Sequence, residues 1–135
     1  MATSKKVLFR QFDPVIYPRN LWVAVGSVSI ETIKDQFEVS KGLSRDYEDT
    51  AHKCGGIAMK VVQLNTRFQG ILMIIKKKSA TVSTIAHESV HIADYIFEEI
   101  GAYSQDFNEL NEQYAYLVGW AADCIDKALK NKFKP

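Results

Sequence analysis

The chain has little of what marks the specialised classes of protein. It holds two cysteines, Cys54 and Cys124, seventy residues apart. A disulfide scaffold needs a denser set, and neither cysteine sits in a metal-ligand spacing, so both read as reduced thiols of a cytoplasmic protein. Charge of one sign is missing too: 17 Lys and Arg face 16 Asp and Glu for a net +1. No global field is left to hold a nucleic acid backbone or an anionic membrane, so neither partner is expected. Long apolar runs are absent. The longest, residues 71–75, stops at Lys76-Lys77-Lys78, far short of the roughly 20 residues of a membrane span. Only Val7-Leu8-Phe9 precedes Arg10 as an apolar stretch, which is too short for a signal-peptide core. What remains is 135 residues at 47% hydrophobic, the size and composition of a single domain with enough apolar material for one core.

The first forty residues alternate β-type runs with breakers. Residues 7–12 and 21–25 predict strands around a loop bounded by Asp13-Pro14 and Tyr17-Pro18. Ser29 is placed to cap a helix whose apolar positions Ile30, Ile33 and Phe37 follow helical spacing. Residues 41–56 are polar and without period, a long connection containing His52. Two further runs, 57–64 and 68–75, predict a hairpin about Asn65-Thr66-Arg67. The last third is helical. One helix is predicted from an Ser79 cap to a stop at Gly101. Asp106-Phe107-Asn108-Glu109 has the spacing of a capping box, so a second helix is expected to start at Asp106 and end in the basic stretch 127–134. A short loop over 101–104 would make the two an antiparallel pair.

The first of these helices carries His87-Glu88-Ser89-Val90-His91. Residues four apart share a helix face about 6 Å apart along the axis, so two imidazoles there can converge on one tetrahedral zinc ion. Glu88 then stands beside the metal, where a carboxylate can take a proton from bound water. Random placement of this chain's three His and eight Glu would produce the pattern about three times in a thousand, which makes accident a poor account of it. The candidates for a third ligand are Glu109 and Glu112. Counted from Gly101, His91 lies about 15 Å up the first helix; counted from Asp106, Glu109 lies about 4.5 Å and Glu112 about 9 Å up the second. Depth therefore favours Glu112, and Glu109 has a capping role available to it. Tyr116, one turn beyond Glu112, comes level with His91 by the same count.

His87-Glu88-x-x-His91, with Asn111-Glu112-x-x-Ala115 placing Glu112 21 residues after His91, resembles the gluzincin, thermolysin-like zinc metallopeptidases. The segment from Asn111 to Trp120 is also similar to small metallopeptidase-type proteins of phages and prophages. The resemblance covers residues 79–125. It implies an α+β zincin-like domain over 1–135, with a short N-terminal antiparallel sheet and one helix ahead of an antiparallel helix pair bearing the metal. It further implies one Zn2+ held by His87, His91 and Glu112, Glu88 as general base and acid, and Asn111 orienting an imidazole. Such enzymes carry an aspartate four residues after the ligand glutamate; here that position is Tyr116, and Asp94 is the available replacement. Tyr116, Tyr114 and His52 are the candidates to steady an oxyanion, Tyr116 first among them. By analogy, the strand over 68–75 would offer its edge to an extended peptide. The function expected is a cytoplasmic zinc peptidase, phage-encoded and acting in the host cell on a peptide or protein. The rivals are a catalytically silent zinc-binding accessory protein and a purely structural zinc site.

Overall fold

The computed structural model describes residues 7–42, 46–47 and 55–130. Among these, five strands form one mixed sheet and three α-helices cover its two faces. The strands are β1 (Arg10–Phe12), β2 (Asn20–Val25), β3 (Phe37–Glu38), β4 (Gly56–Gln63) and β5 (Gln69–Ile75), in the spatial order β1-β2-β5-β4-β3. The helices are α1 (Ile30–Gln36), α2 (Val82–Ile100) and α3 (Glu112–Lys130).

The α+β class stands, but the sheet is not purely antiparallel. β2 and β5 run parallel, from Asn20 beside Gly70 to Val25 beside Ile75, while β1–β2, β4–β5 and β3–β4 are antiparallel. After β2 the chain leaves through α1 to the far edge at β3, returns through β4, and lays β5 into the gap. β5 is therefore central, buried from Gly70 to Ile75, which is why its sequence is an unbroken apolar run. It has no free edge, so the expectation that this strand docks a peptide is overturned.

Alternation along the central strands feeds two cores. Leu21 and Val23 with Ile71, Met73 and Ile75 face α2 and α3, meeting Ile92, Ile96, Leu117, Ala121 and Ile125. Trp22 and Ala24 with Leu72 and Ile74 face the other way, onto Ile33, Phe37 and Tyr47. A period of two on a sheet covered on both faces produces this division. Tyr47 is 1% exposed and donates its hydroxyl to Val28 O at 2.7 Å. The stretch 41–56 is thus not all polar loop: Lys41, Gly42, Asp46 and Tyr47 are helical. His52 and Cys54 lie outside the described residues. Cys124 is a free, buried thiol, pushed up to about 12 chiefly by that burial.

Some element ends differ from expectation and one agrees. Phe37 ends α1 as its C-cap and begins β3, pairing with Gln63. Ser79 belongs to a 3-10 turn over Lys77–Ser79, and Thr81 caps α2 by accepting from the Thr84 N–H at 3.1 Å. α2 does stop at Gly101, in the left-handed region at φ 73° with its N–H returned to the last carbonyls. α3 starts at Glu112, not Asp106: Phe107–Glu109 make only a 3-10 turn, and Leu110 and Asn111 follow with φ of 69° and 49°. Two left-handed residues in succession cannot continue a helix. The connection is correspondingly longer than 101–104. The pair is antiparallel, since Tyr114 near the start of α3 meets Asp94 and Phe97 late in α2, while Ala128 and Leu129 share a groove with Lys77, just ahead of α2. No helix among the described residues is long and apolar enough to cross a membrane.

Candidate metal site

The buried side of α2 is set by Ser89, Ile92, Ala93, Ile96 and Phe97. At about 100° per residue His87 and His91 fall on the opposite side, in solvent, and Glu88 falls at the boundary, turned toward the start of β4. The two Nε2 atoms stand 3.2 Å apart, and Glu88 Oε1 is 3.8 Å from His87 Nε2. One ligand atom from each of the three residues lies within 4.8 Å of the others. Two zinc–nitrogen bonds at tetrahedral angle put their nitrogens about 3.3 Å apart. The histidine pair is already at that separation, and imidazole with carboxylate is a donor set that suits zinc.

Glu88 is only 7% exposed. Burial raises its pKa above the usual carboxylate value, against the opposing pull of His91 and then His87. Room for its side chain comes from Gly56: a Cβ there would stand 3.2 Å from Glu88 Cγ and 2.8 Å from Met73 Cε. Gly55, Gly56, Ser83, Thr84, His87 and Glu88 line a cavity of about 290 Å³. The double glycine was visible in the sequence, but only the fold places it against the acid.

β4 runs beside the exposed side of α2. Gly56 abuts Glu88 and Lys60 pairs with Glu98. Those contacts are about 13 Å apart along the strand and about 15 Å along the helix, so the two elements stay roughly parallel. The Lys60 ammonium also lies 5.5 Å over the Tyr95 ring, which stacks on His91 at 6.5 Å. Among the described residues β4 pairs with β3 only at Val62 and Gln63, so its outer edge from Gly56 to Val61 is unpaired there. The first residue of this edge, Gly56, shares the cavity with His87 and Glu88.

The other candidates are placed as follows. Glu112 is exposed in the first turn of α3 and is not among the side chains grouped at the histidines. By helical rotation it lies roughly opposite Leu117, Ala121 and Cys124, the face that α3 buries. The Tyr114–Asp94 contact sets the level of the two helices and puts Glu112 about 7.5 Å below His91 along the axis. Tyr116 is level with His91 to within about 1.5 Å but points outward, 75% exposed. Tyr114 donates its hydroxyl to Asp94 Oδ1 at 2.5 Å. Asn111 accepts the Gln105 N–H at 2.8 Å, so its side chain braces the entry to α3 rather than an imidazole. Glu109 is exposed in the 3-10 turn, where its N–H is held by Asp106 O. The structure thus unites His87, Glu88 and His91, pairs Asp94 with Tyr114, and leaves Glu112 and Tyr116 apart. Compared with protein-family models, curated proteins and solved structures, the chain matches none.

Proposed function

We propose that the chain is a zinc-dependent peptidase in which His87 and His91 hold the metal and Glu88 is the general base and acid. The observation that carries this reading is the pair of exposed Nε2 atoms 3.2 Å apart beside a buried carboxylate. A zinc ion bound there would supply Lewis acidity toward a carbonyl and toward water. Glu88, desolvated and therefore more basic than a surface carboxylate, accepts the proton of the attacking water and returns it to the leaving amine. The edge of β4 from Gly56 to Val61, unpaired among the described residues, offers main-chain groups to an extended peptide laid past the histidines. We assign the third ligand to Glu112, which metal binding would have to draw in from its outward position on α3. Tyr116 is the proposed oxyanion partner, under the same requirement. The substrate is a peptide or protein, and the setting proposed is the cytoplasm, in a phage-infected host cell.

A second reading has its own support. Glu88 already stands in the cluster and Glu112 does not, which favours Glu88 as third donor in a silent, metal-holding accessory protein. Glu88→Gln separates the two. Elemental analysis should find about one zinc per chain in wild type and far less in His87→Ala and His91→Ala, as expected for a site with one open position. For the peptidase, Glu88→Gln keeps the metal and loses cleavage of a peptide library, because an amide cannot accept the proton. Loss of the metal in that variant would instead make Glu88 a ligand and sink the catalytic reading.

A further inference from the structure

Nothing in the packing of α3 on α2 requires a hydroxyl at Tyr114. The interface is apolar, built from Ile92, Ile96, Phe97, Leu117, Ala121 and Ile125. The Tyr114 ring meets Phe97 edge-on, 5.4 Å between centroids at 69°, a contact phenylalanine would make equally well. What the hydroxyl adds is its bond to Asp94 Oδ1 at 2.5 Å, with Val90 O at 3.5 Å as a second, weaker acceptor. The phenol stays protonated well above its ordinary range, first through burial and then through Asp94 itself, so it is a permanent donor.

Asp94 follows His91 by three residues, the spacing of side-chain neighbours on a helix. The histidines approach each other through Nε2, so Nε2 is the ligating atom and Nδ1 of each ring must carry the proton of a neutral imidazole ligand. That N–H needs an acceptor to hold the ring in its ligating orientation. His91 is already stacked on its far side by Tyr95, and Asp94 stands on the α3 side. Tyr114 takes one carboxylate oxygen of the exposed Asp94, which leaves the other open to a further donor.

Resting on the reading of His87 and His91 as metal ligands, we propose that Tyr114 is a positioning residue: it fixes Asp94, and Asp94 holds the His91 ring through Nδ1–H when the metal is bound. The α2–α3 interface thereby sets metal affinity from outside the ligand set.

The test is a zinc titration against a chromophoric chelator on wild type, Tyr114→Phe, Asp94→Asn and the double variant. Each single change should weaken zinc binding by about tenfold or more, the usual cost of losing such a partner, and the double should be no weaker than Asp94→Asn alone. Leu117→Ala, which removes interface packing but no polar contact, should lower the melting temperature more and zinc affinity less than Tyr114→Phe. A downfield His91 Nδ1–H proton in the zinc-loaded wild type, lost in Asp94→Asn, is the expected spectroscopic signature. Wild type that takes up no zinc overturns the metal reading on which the inference rests. Wild type that binds zinc while Tyr114→Phe binds equally well overturns this inference alone, as would losses that multiply in the double variant.

Discussion

Glu88 is a carboxylic acid kept mostly out of water, and its titration should show in stability before any catalysis is measured. Its folded pKa is raised, mainly by burial, so the metal-free folded protein binds the proton more tightly than the unfolded chain. Stability must then fall as pH rises from the ordinary carboxylate range through the raised value. Glu88→Gln has no such loss. Urea midpoints in chelator, taken at about pH 4 and about pH 8, should show the variant gaining on wild type as pH rises; a difference that does not widen would mean the carboxylate is better solvated than its burial indicates. Gly56 belongs to the same residue-scale argument. Gly56→Ala drives a methyl against Met73 and Glu88, and should cost about 1–3 kcal/mol by overpacking while displacing the acid from the histidines. His87, Glu88 and His91 were legible because four-residue spacing on a helix is local geometry. The need for Gly56 was not, because it arises from a strand thirty-two positions earlier in the chain.

At the scale of elements, the helix bodies, the Ser29 cap and the Gly101 stop followed from periodicity and cap chemistry, while the starts of α2 and α3 did not. Ser79 and Thr81 are both competent caps, and the choice fell to Thr81 because Lys77–Ser79 close into a 3-10 turn first. Thr81→Ala should therefore cost about 1 kcal/mol and Ser79→Ala within about 0.5 kcal/mol of nothing, read from denaturant midpoints. The reverse order would put the cap back at Ser79. Asp106-x-x-Glu109 has cap spacing but no cap: the left-handed pair Leu110-Asn111 breaks the helix, and the Asn111 side chain satisfies Gln105 instead. The depth count that favoured Glu112 took Asp106 as its origin, so the later start removes that argument and turns Glu112 outward. Inside α3, nothing lies within 4 Å of a Cβ built at Gly119, so no close helix approach requires the glycine. Gly119→Ala should accordingly stabilise the protein by up to about 1 kcal/mol through helix propensity. Destabilisation would mean that this face of α3 is covered.

For the whole molecule, the decisive feature is non-local. The parallel pairing of β2 with β5 joins strands separated by α1, β3 and β4, and no property of either strand alone announces it; an apolar run fits a parallel or an antiparallel centre equally. That pairing lets one sheet carry two cores, with α2 held over one of them and its histidines pointing away. The proposed metal site is thus mounted on a helix whose other side is the core. Zinc binding to such a preformed pair should stabilise the whole fold by mass action, by about 2.7 kcal/mol at a free concentration one hundred times Kd. Thermal melts of wild type with and without zinc should differ by several degrees, chelator should reverse the difference, and His91→Ala should abolish it while keeping its own baseline. A zinc-independent melt in wild type would remove the metal from both functional readings together. A zinc-dependent melt that survives in His91→Ala would place the ion elsewhere on the chain.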